Sequence, residues 1–179
     1  MLDVFDRSHV AHALIGDLAF GLHARVRSSR GAKFIVDCAD FEFTNLLDRL
    51  QSDGFQLHIR DALQKWSVHR SLSFSRGPVR FDWYQPITPI HRFVLKSAVN
   101  WPWLDRQVRV ATAEGLVLTK LAAFRPQDQI DIETLLIANR EDIDLAIIRD
   151  EWATFAKTEA ERTAWLEAAI AKHVTPYRV

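Results

Sequence analysis

Cysteine is nearly absent from this sequence of 179 residues, and so are long apolar runs and any excess of charge. The single cysteine, Cys38, excludes an intramolecular disulfide and a zinc site built on several cysteines, and it fits a reducing compartment. No stretch approaches the roughly 20 apolar residues of a membrane-spanning helix. The first ten residues, MLDVFDRSHV, lack the basic and apolar regions of a signal peptide. These absences predict a cytoplasmic protein that does not enter a membrane.

Acidic and basic residues balance at 23 each, so no global field draws the chain to nucleic acid or to an acidic membrane. The seven histidines show neither an HExxH motif nor another paired metal-ligand spacing. His9 and His12 are three residues apart, which puts them on opposite faces of a strand. The sequence therefore predicts no histidine metal site.

Apolar spacing and chain breakers predict strands alternating with helices in the first two thirds of the chain, and helices alone after that. The predicted strands are 9–15, 32–38, 68–75, 79–84 and 108–110. Residues 57–66 are ambiguous, and residues 100–103 are predicted to be irregular. The last helix is predicted to begin with Thr158 and Glu161 in capping-box spacing. This order indicates an α/β core at residues 1–112 and a helical C-terminal part at residues 113–179, packed on the core as one structural unit.

The stretch from residue 108 to residue 136, VRVATAEGLVLTKLAAFRPQDQIDIETLL, is the most informative. A β-prone run meets Thr112, a good helix N-cap, and the apolar helix that follows contains one cation, Lys120. Arg125 and the proline after it break that helix. The next helix carries Asp128 and Asp131 three residues apart, hence on one face.

This layout resembles the C-terminal half of the minimal nucleotidyltransferase superfamily, especially the abortive-infection toxin nucleotidyltransferases (AbiEii-like). In that family a strand, an S/T-P-E-D-L helix start, a K-L within the helix and an R-x-x-D-x-x-D motif follow in this order. The resemblance extends over roughly residues 10–145. It implies an α/β fold, with a nucleotidyltransferase-like mixed β-sheet, flanking helices and a helical C-terminal part.

The resemblance also implies where a nucleotide site would lie. In the family the first strand ends in Gly-Gly or Gly-Ser, which lets the backbone approach a triphosphate at a helix N-terminus. Gly16 matches the first of these glycines. Asp17 follows it, so an anion stands where a phosphate would dock.

The second strand departs from the family, in which R-x-S/T-x-D-x-D puts two carboxylates on one strand face to hold Mg²⁺. Arg27 and Ser29 match the start of that motif, but Gly31 and Lys33 stand where the carboxylates belong. Asp82 matches a third family carboxylate and is the one candidate catalytic residue. Because Lys33 and Asp82 map onto neighbouring strands, we expect them to form an ion pair.

Four residues of the C-terminal stretch complete the nucleotide-binding candidates that the resemblance implies: Lys120, Arg125, Asp128 and Asp131. Three of them also have a structural reading. Lys120 fits a lysine whose stem is buried and whose ammonium reaches water. Asp128 fits a first-turn carboxylate that favours the helix dipole, and Asp131 fits an ion-pair partner of Arg125 or Lys120.

Three hypotheses about function follow. The first is a nucleotidyltransferase-fold protein without catalysis that needs no cofactor and binds a nucleotide, RNA or a protein partner, in a defence or toxin–antitoxin setting. The second is an active, divergent nucleotidyltransferase that modifies RNA or protein with Mg²⁺ and a nucleoside triphosphate, using Asp82 with Asp17 or Asp37. The third is a structural interaction module whose cleft is closed by packing. The relative positions of Asp17, Lys33, Asp82 and Lys120 distinguish them.

Overall fold

A computed structural model describes residues 1–29 and 31–174 and places a six-stranded mixed sheet among flanking helices. The strands are β1 (Ala11–Ile15), β2 (Gly31–Asp37), β3 (Ser71–Arg76), β4 (Val79–Tyr84), β5 (Val99–Trp103) and β6 (Arg106–Val110). The helices are α1 (Leu2–Ser8), α2 (Gly16–His23), α3 (Asp40–Ser52), α4 (Ile59–His69), α5 (Pro89–Ser97), α6 (Ala113–Ala123), α7 (Pro126–Ala138), α8 (Leu145–Phe155) and α9 (Ala160–His173). The expected α/β class is confirmed.

The strand order across the sheet is β3-β4-β2-β1-β6-β5. Strand β2 is parallel to β4 and antiparallel to β1, and β1 is parallel to β6. Helices α2 and α5 pack against β1 and β2, and α6 packs against α2 and α5. The predicted strands therefore lie in one sheet, with the segment 32–38 beside the segment 79–84 as expected.

One sequence prediction is wrong in the region between α3 and β3. Residues 59–69 form α4, so the strand predicted to begin at residue 68 begins at Ser71. Arg70 ends the helix in the left-handed region, with φ 54°. Helix α4 extends this far because it packs its buried side chains against α3 and β3.

Residues 100–103 were predicted to be irregular, and this is wrong, because they form most of β5. Strand β5 pairs antiparallel with β6, so that Trp101 lies opposite Val108. Pro102 is tolerated since β5 is an edge strand, where a missing N–H removes no necessary ladder bond. The partner strand, rather than the local sequence, decides the conformation here.

The predicted capping box of the last helix is also wrong. Helix α9 begins at Ala160, and its N-cap residue is Glu159, which makes no side-chain capping hydrogen bond. Thr158 thus precedes the N-cap position and cannot cap the helix. Among the described residues, no helix is both long enough and apolar enough to cross a membrane.

The sheet and the C-terminal helices share one buried apolar cluster. Phe5 of α1 stacks on His12 of β1 at 4.1 Å between ring centroids and lies 5.2 Å from the ring of Trp83. Leu116 and Leu118 of α6 are fully buried in the same cluster. Because α6 shares this cluster with the strands, the helix and its Lys120 are held in place relative to the sheet.

Gly31 lies so close to β4 that it leaves no room for a side chain. A Cβ at this position would lie 2.1 Å from the carbonyl oxygen of Arg80. We expect Gly31→Ala to lower the free energy of unfolding by about 1–3 kcal/mol, the usual cost of overpacking. Gly21→Ala in α2 is the matched control, because its Cβ would make an ordinary 3.6 Å contact with Val26. Urea denaturation of both variants measures the difference, and equal losses would contradict this account.

Three histidines in the fold have pKa values that burial shifts downward. His12, His23 and His91 each place one ring nitrogen 2.8–3.1 Å from a backbone carbonyl oxygen. Burial lowers the pKa of all three below the ordinary value of 6.5, and these contacts offset only part of that effect. The folded state therefore binds fewer protons than the unfolded state in the range just below pH 6.5.

Stability should fall as the pH is lowered from 7.5 towards 5, because the unfolded chain takes up the protons that the folded chain excludes. Each histidine contributes at most about 1.4 kcal/mol per pH unit to the change of the free energy of unfolding with pH. Urea denaturation at half-unit steps of pH measures this slope. His12→Phe should reduce the slope while keeping a ring against Phe5. A free energy of unfolding that stays constant or rises over this range would contradict the prediction.

Candidate functional site

A cleft of about 730 Å³ opens where the ends of β1, β2 and β4 meet α5, α6 and α7. Helices α6 and α7, which contain residues 118 and 135, form part of its wall. Eight of the candidate residues line the cleft together: Gly16, Asp17, Arg27, Lys33, Lys120, Arg125, Asp128 and Asp131.

Helix α6 brings Lys120 into the cleft. The hydroxyl of Thr112 accepts a hydrogen bond from the Gly115 N–H at 3.2 Å and so caps the helix, as predicted. The helix is apolar on nearly all sides, and Lys120 is only 8% exposed. Its ammonium lies 2.5 Å from an oxygen of Asp131 and 3.9 Å from one of Asp128. A cation this buried is held by its carboxylate partners.

Helix α7 begins with a local charge pair. Pro126 occupies the first turn, where a missing N–H costs nothing. The Arg125 backbone N–H and its guanidinium Nε both donate to one oxygen of Asp128, at 3.1 and 2.7 Å. Asp128 is 3% exposed, so its charge depends on these donors. This pairing joins the end of α6 to the start of α7.

Arg27 crosses the mouth of the cleft from the segment between α2 and β2. Its guanidinium donates to Asp131 at 2.7 Å and also to Asp17 in the first turn of α2. The same group lies 4.6 Å from the centre of the Phe20 ring. Arg27 therefore links α2 to α7 across more than a hundred residues of sequence.

Asp131 is the centre of this network. Its two oxygens accept from Arg27, from Lys120 and from the Gln127 amide, the last at 2.9 Å. Burial alone would raise the pKa of Asp131, but the three hydrogen bonds outweigh burial and hold the pKa below its usual value. The expectation that Asp131 pairs with Arg125 or Lys120 is fulfilled by Lys120, whereas Arg125 is bound to Asp128.

Gly16 and Lys33 fit together at the sheet end of the cleft. Gly16 has φ 71°, a conformation that favours glycine, and a Cβ there would lie 3.0 Å from the Lys33 Cδ. The stem of Lys33 thus occupies the space that the glycine leaves open. Within the described part of the chain, no carboxylate is in salt-bridge contact with the Lys33 ammonium.

The predicted ion pair between Lys33 and Asp82 is wrong. The two residues are direct neighbours in the parallel register of β2 and β4. However, the Asp82 carboxylate accepts from the Ser73 hydroxyl at 2.6 Å and from the Arg80 guanidinium at 2.8 Å. Ser73 lies on β3, on the other side of β4 from β2, and Arg80 lies on β4 itself, so the carboxylate is bound by partners other than Lys33. Lys33 is left as a half-buried cation that lines the cleft.

Two other sequence candidates also lie apart from the cleft lining. Asp82 does not contribute to the lining, and its carboxylate is bound by Ser73 and Arg80. The Ser29 hydroxyl donates to the Gly31 carbonyl at 2.7 Å. Asp37, considered as a substitute carboxylate, is exposed at the end of β2 opposite Ala11, whereas Lys33 lies opposite Ile15.

The lining residues that sequence reasoning missed include Tyr84, His91 and Gln127. Tyr84 is the last residue of β4, and burial raises the pKa of its hydroxyl. His91 lies in the first turn of α5, whose N-cap Thr88 was visible in the sequence as a Thr-Pro pair. The start of this helix, close in sequence to the end of β4, was the one sequence signal that could have indicated His91.

The carboxylates of the cleft do not suit a divalent cation. Metal sites for Mg²⁺ use carboxylate oxygens that are free to face the ion. Here Asp17 and Asp131 accept from Arg27, and Asp128 accepts from Arg125. Across residues 1–29 and 31–174, no group of three His, Cys, Asp or Glu side chains is placed to hold a metal ion.

The sequence matches no protein-family model and no curated protein sequence. The fold, however, matches solved structures. One is the lincosamide antibiotic adenylyltransferase LnuA with lincomycin bound, at 14% identity and a TM-score of 0.51. The match covers 75% of this chain and 90% of LnuA. The fold is nucleotidyltransferase-like.

Two more distant structures were also found. The first is an antigenic nucleotidyltransferase-like protein from Paracoccidioides brasiliensis, at 12% identity and a TM-score of 0.49, covering 93% of this chain and 88% of that protein. The second is ANT(2″)-Ia in complex with adenylyl-2″-tobramycin, at 11% identity and a TM-score of 0.45, covering 96% and 93%.

Removing the charge of Asp131 should cost much more stability than removing a charge from an exposed pair. In Asp131→Asn, Lys120 and Arg27 lose a buried partner, and we expect a loss of about 3–5 kcal/mol. Glu167→Gln is the control, because its pair with Arg149 leaves both side chains nearly half exposed, and its loss should be about 0–1 kcal/mol. Urea denaturation of the two variants compares them. Similar losses would show that the Asp131 network does not hold the cleft together.

Proposed function

We propose that this protein is a nucleotide-binding protein with a nucleotidyltransferase-like fold that does not transfer nucleotides. The observation that carries the proposal is the position of Lys33. Its stem fills the space beside Gly16, and the residue lines an open cleft with no carboxylate in salt-bridge contact among the described residues. A free cation in a cleft of this size is suited to an anionic ligand.

The proposal that transfer is lost is supported by the carboxylates. Transfer chemistry in this fold needs carboxylates that hold metal ions and orient the attacking oxygen. Gly31 and Lys33 stand at the two positions that the family resemblance assigns to this pair. Asp82 and Asp17, the acids considered for an active enzyme, are each bound to an arginine. No two carboxylates of the cleft are free to share a metal ion.

The proposal that binding is retained is supported by the openness of the cleft. A structural module closed by packing would leave no volume there, whereas about 730 Å³ is present. Tyr84 and His91 add ring side chains to walls that carry many charged groups. Ring side chains are suited to contact with a base. LnuA, which shares the fold, is an adenylyltransferase, and this agrees with an adenine nucleotide as the first ligand to test.

The biological setting follows from the sequence resemblance alone. The order of motifs from residue 108 to residue 136 resembles the AbiEii-like toxin nucleotidyltransferases. We propose on this basis that the protein acts in the cytoplasm, within a defence or toxin–antitoxin system. In such a system nucleotide binding by a catalytically degenerate member would control a protein or RNA partner.

Nucleotide binding should depend on Lys33 and persist without a metal ion. A hydrogen bond to a charged group contributes about 1.5–3 kcal/mol, so Lys33→Met should weaken binding roughly 10- to 150-fold. The affinity of the wild-type protein in isothermal titration calorimetry should be equal in EDTA and in Mg²⁺, and it should fall with added salt. Lys65→Met is the control, since Lys65 is exposed in α4 and does not line the cleft.

The transferase reaction is tested on the same preparation. The protein is incubated with labelled nucleoside triphosphates, Mg²⁺ or Mn²⁺, and a mixed pool of tRNA and protein. We expect no label transfer. Transfer that disappears in Asp82→Ala would contradict the proposal and establish an active, divergent nucleotidyltransferase instead.

A further inference from the structure

We infer that the cleft selects a ligand with a single phosphate group over one with two or three. This inference rests on the proposed function and names the chemical class of its ligand. Three observations carry it: the charge balance of the cleft, the occupation of the space beside Gly16, and the pairing of Asp17 with Arg27 at the start of α2.

The charge balance leaves the cleft with one net positive charge. Its cations are Arg27, Lys33, Lys120 and Arg125. Its carboxylates are Asp17, Asp128 and Asp131. A phosphate monoester carries a charge of about −1.5 to −2 at pH 7, and every further phosphate adds negative charge. Without a metal ion, a triphosphate would therefore exceed what the cleft can neutralise, whereas one phosphate nearly matches it.

The cations are not equally available to a ligand. Arg27 donates to two carboxylates, Lys120 is 8% exposed and in contact with Asp131, and Arg125 is bound to Asp128. Of the four cations that line the cleft, only Lys33 has no carboxylate in salt-bridge contact, as far as the described residues show. One free ammonium is suited to one phosphate group.

Two backbone features bind polyphosphates in other proteins: a glycine before a helix, and the N-terminus of that helix. In this protein side chains occupy both. A glycine before a helix serves such ligands because the phosphate can approach the backbone and the helix N-terminus. At Gly16 the stem of Lys33 lies 3.0 Å from the position of a Cβ and takes up that space. Asp17 stands in the first turn of α2, where an anion is favoured, and Arg27 holds it there. A second and third phosphate would find neither feature free.

The first experiment compares ligands on the full-length protein. Isothermal titration calorimetry in EDTA, at constant ionic strength, measures the dissociation constants of AMP, ADP and ATP. We expect AMP to bind about tenfold more tightly than ATP, with ADP between them. Ribose 5-phosphate and inorganic phosphate are measured beside them, to separate a nucleotide from other sources of a single phosphate.

The second experiment changes the charge of the cleft by one unit. Asp17→Asn removes a carboxylate and frees part of Arg27, so the preference should shift about tenfold from AMP towards ATP. Asp48→Asn is the control, because Asp48 is exposed in α3 and the substitution changes the net charge of the protein equally. Thermal unfolding of both variants verifies that they fold. An unchanged AMP-to-ATP ratio in Asp17→Asn would count against the inference.

The outcomes separate this inference from the proposed function. If ATP binds more tightly than AMP in EDTA, the inference is overturned while nucleotide binding stands. If no nucleotide binds in a manner that depends on Lys33, the proposed function itself is overturned. If ribose 5-phosphate binds as tightly as AMP, the single-phosphate preference is supported, but the base adds nothing to binding and the nucleotide assignment of the proposed function is overturned.

Discussion

The shape of the cleft depends on the hydrogen bonds that the carboxylate of Asp131 accepts. Asp131 is 1% exposed, and its carboxylate accepts from Arg27, Lys120 and Gln127. An isolated carboxylate at this depth would be very costly, and its three donors come from three parts of the chain. The segment after α2, helix α6 and helix α7 are therefore held at fixed positions around one charge. The mouth of the cleft is the space that these three elements leave between them.

This use of charge limits the chemistry available to the site. A carboxylate that already accepts from an arginine or a lysine is neutralised, and a metal ion would have to displace that partner. The same argument applies to Asp17, which shares Arg27 with Asp131, and to Asp128, which is bound to Arg125. Stability and metal binding thus compete for the same oxygens in this cleft. Here these carboxylate oxygens are bound by side chains of the protein. Lys33 is the cleft cation that has no carboxylate in salt-bridge contact among the described residues.

The sequence predicts the elements of this site well and their partners less well. The strand, the Thr112 cap and the helix bearing Lys120 depend on local patterns, so they were predicted correctly. The contact between Lys120 and Asp131 spans eleven residues and was among the expected alternatives. The contact between Arg27 and Asp131 spans 104 residues, and no local sequence pattern predicts a contact between residues so far apart. Strand β5 likewise needed knowledge of its partner, because Pro102 argues locally against a strand.

Gly16 shows why a match to a motif can mislead even when the residue is placed correctly. The glycine was read as the place where the backbone approaches a phosphate. In the structure it is required for two other reasons: its φ of 71°, and the stem of Lys33 packed 3.0 Å from where a Cβ would be. A Cβ at residue 16 would press against the stem of Lys33, and the positive φ would strain the new side chain as well. The two positions are coupled by steric fit, so the glycine alone is not a sign of triphosphate binding.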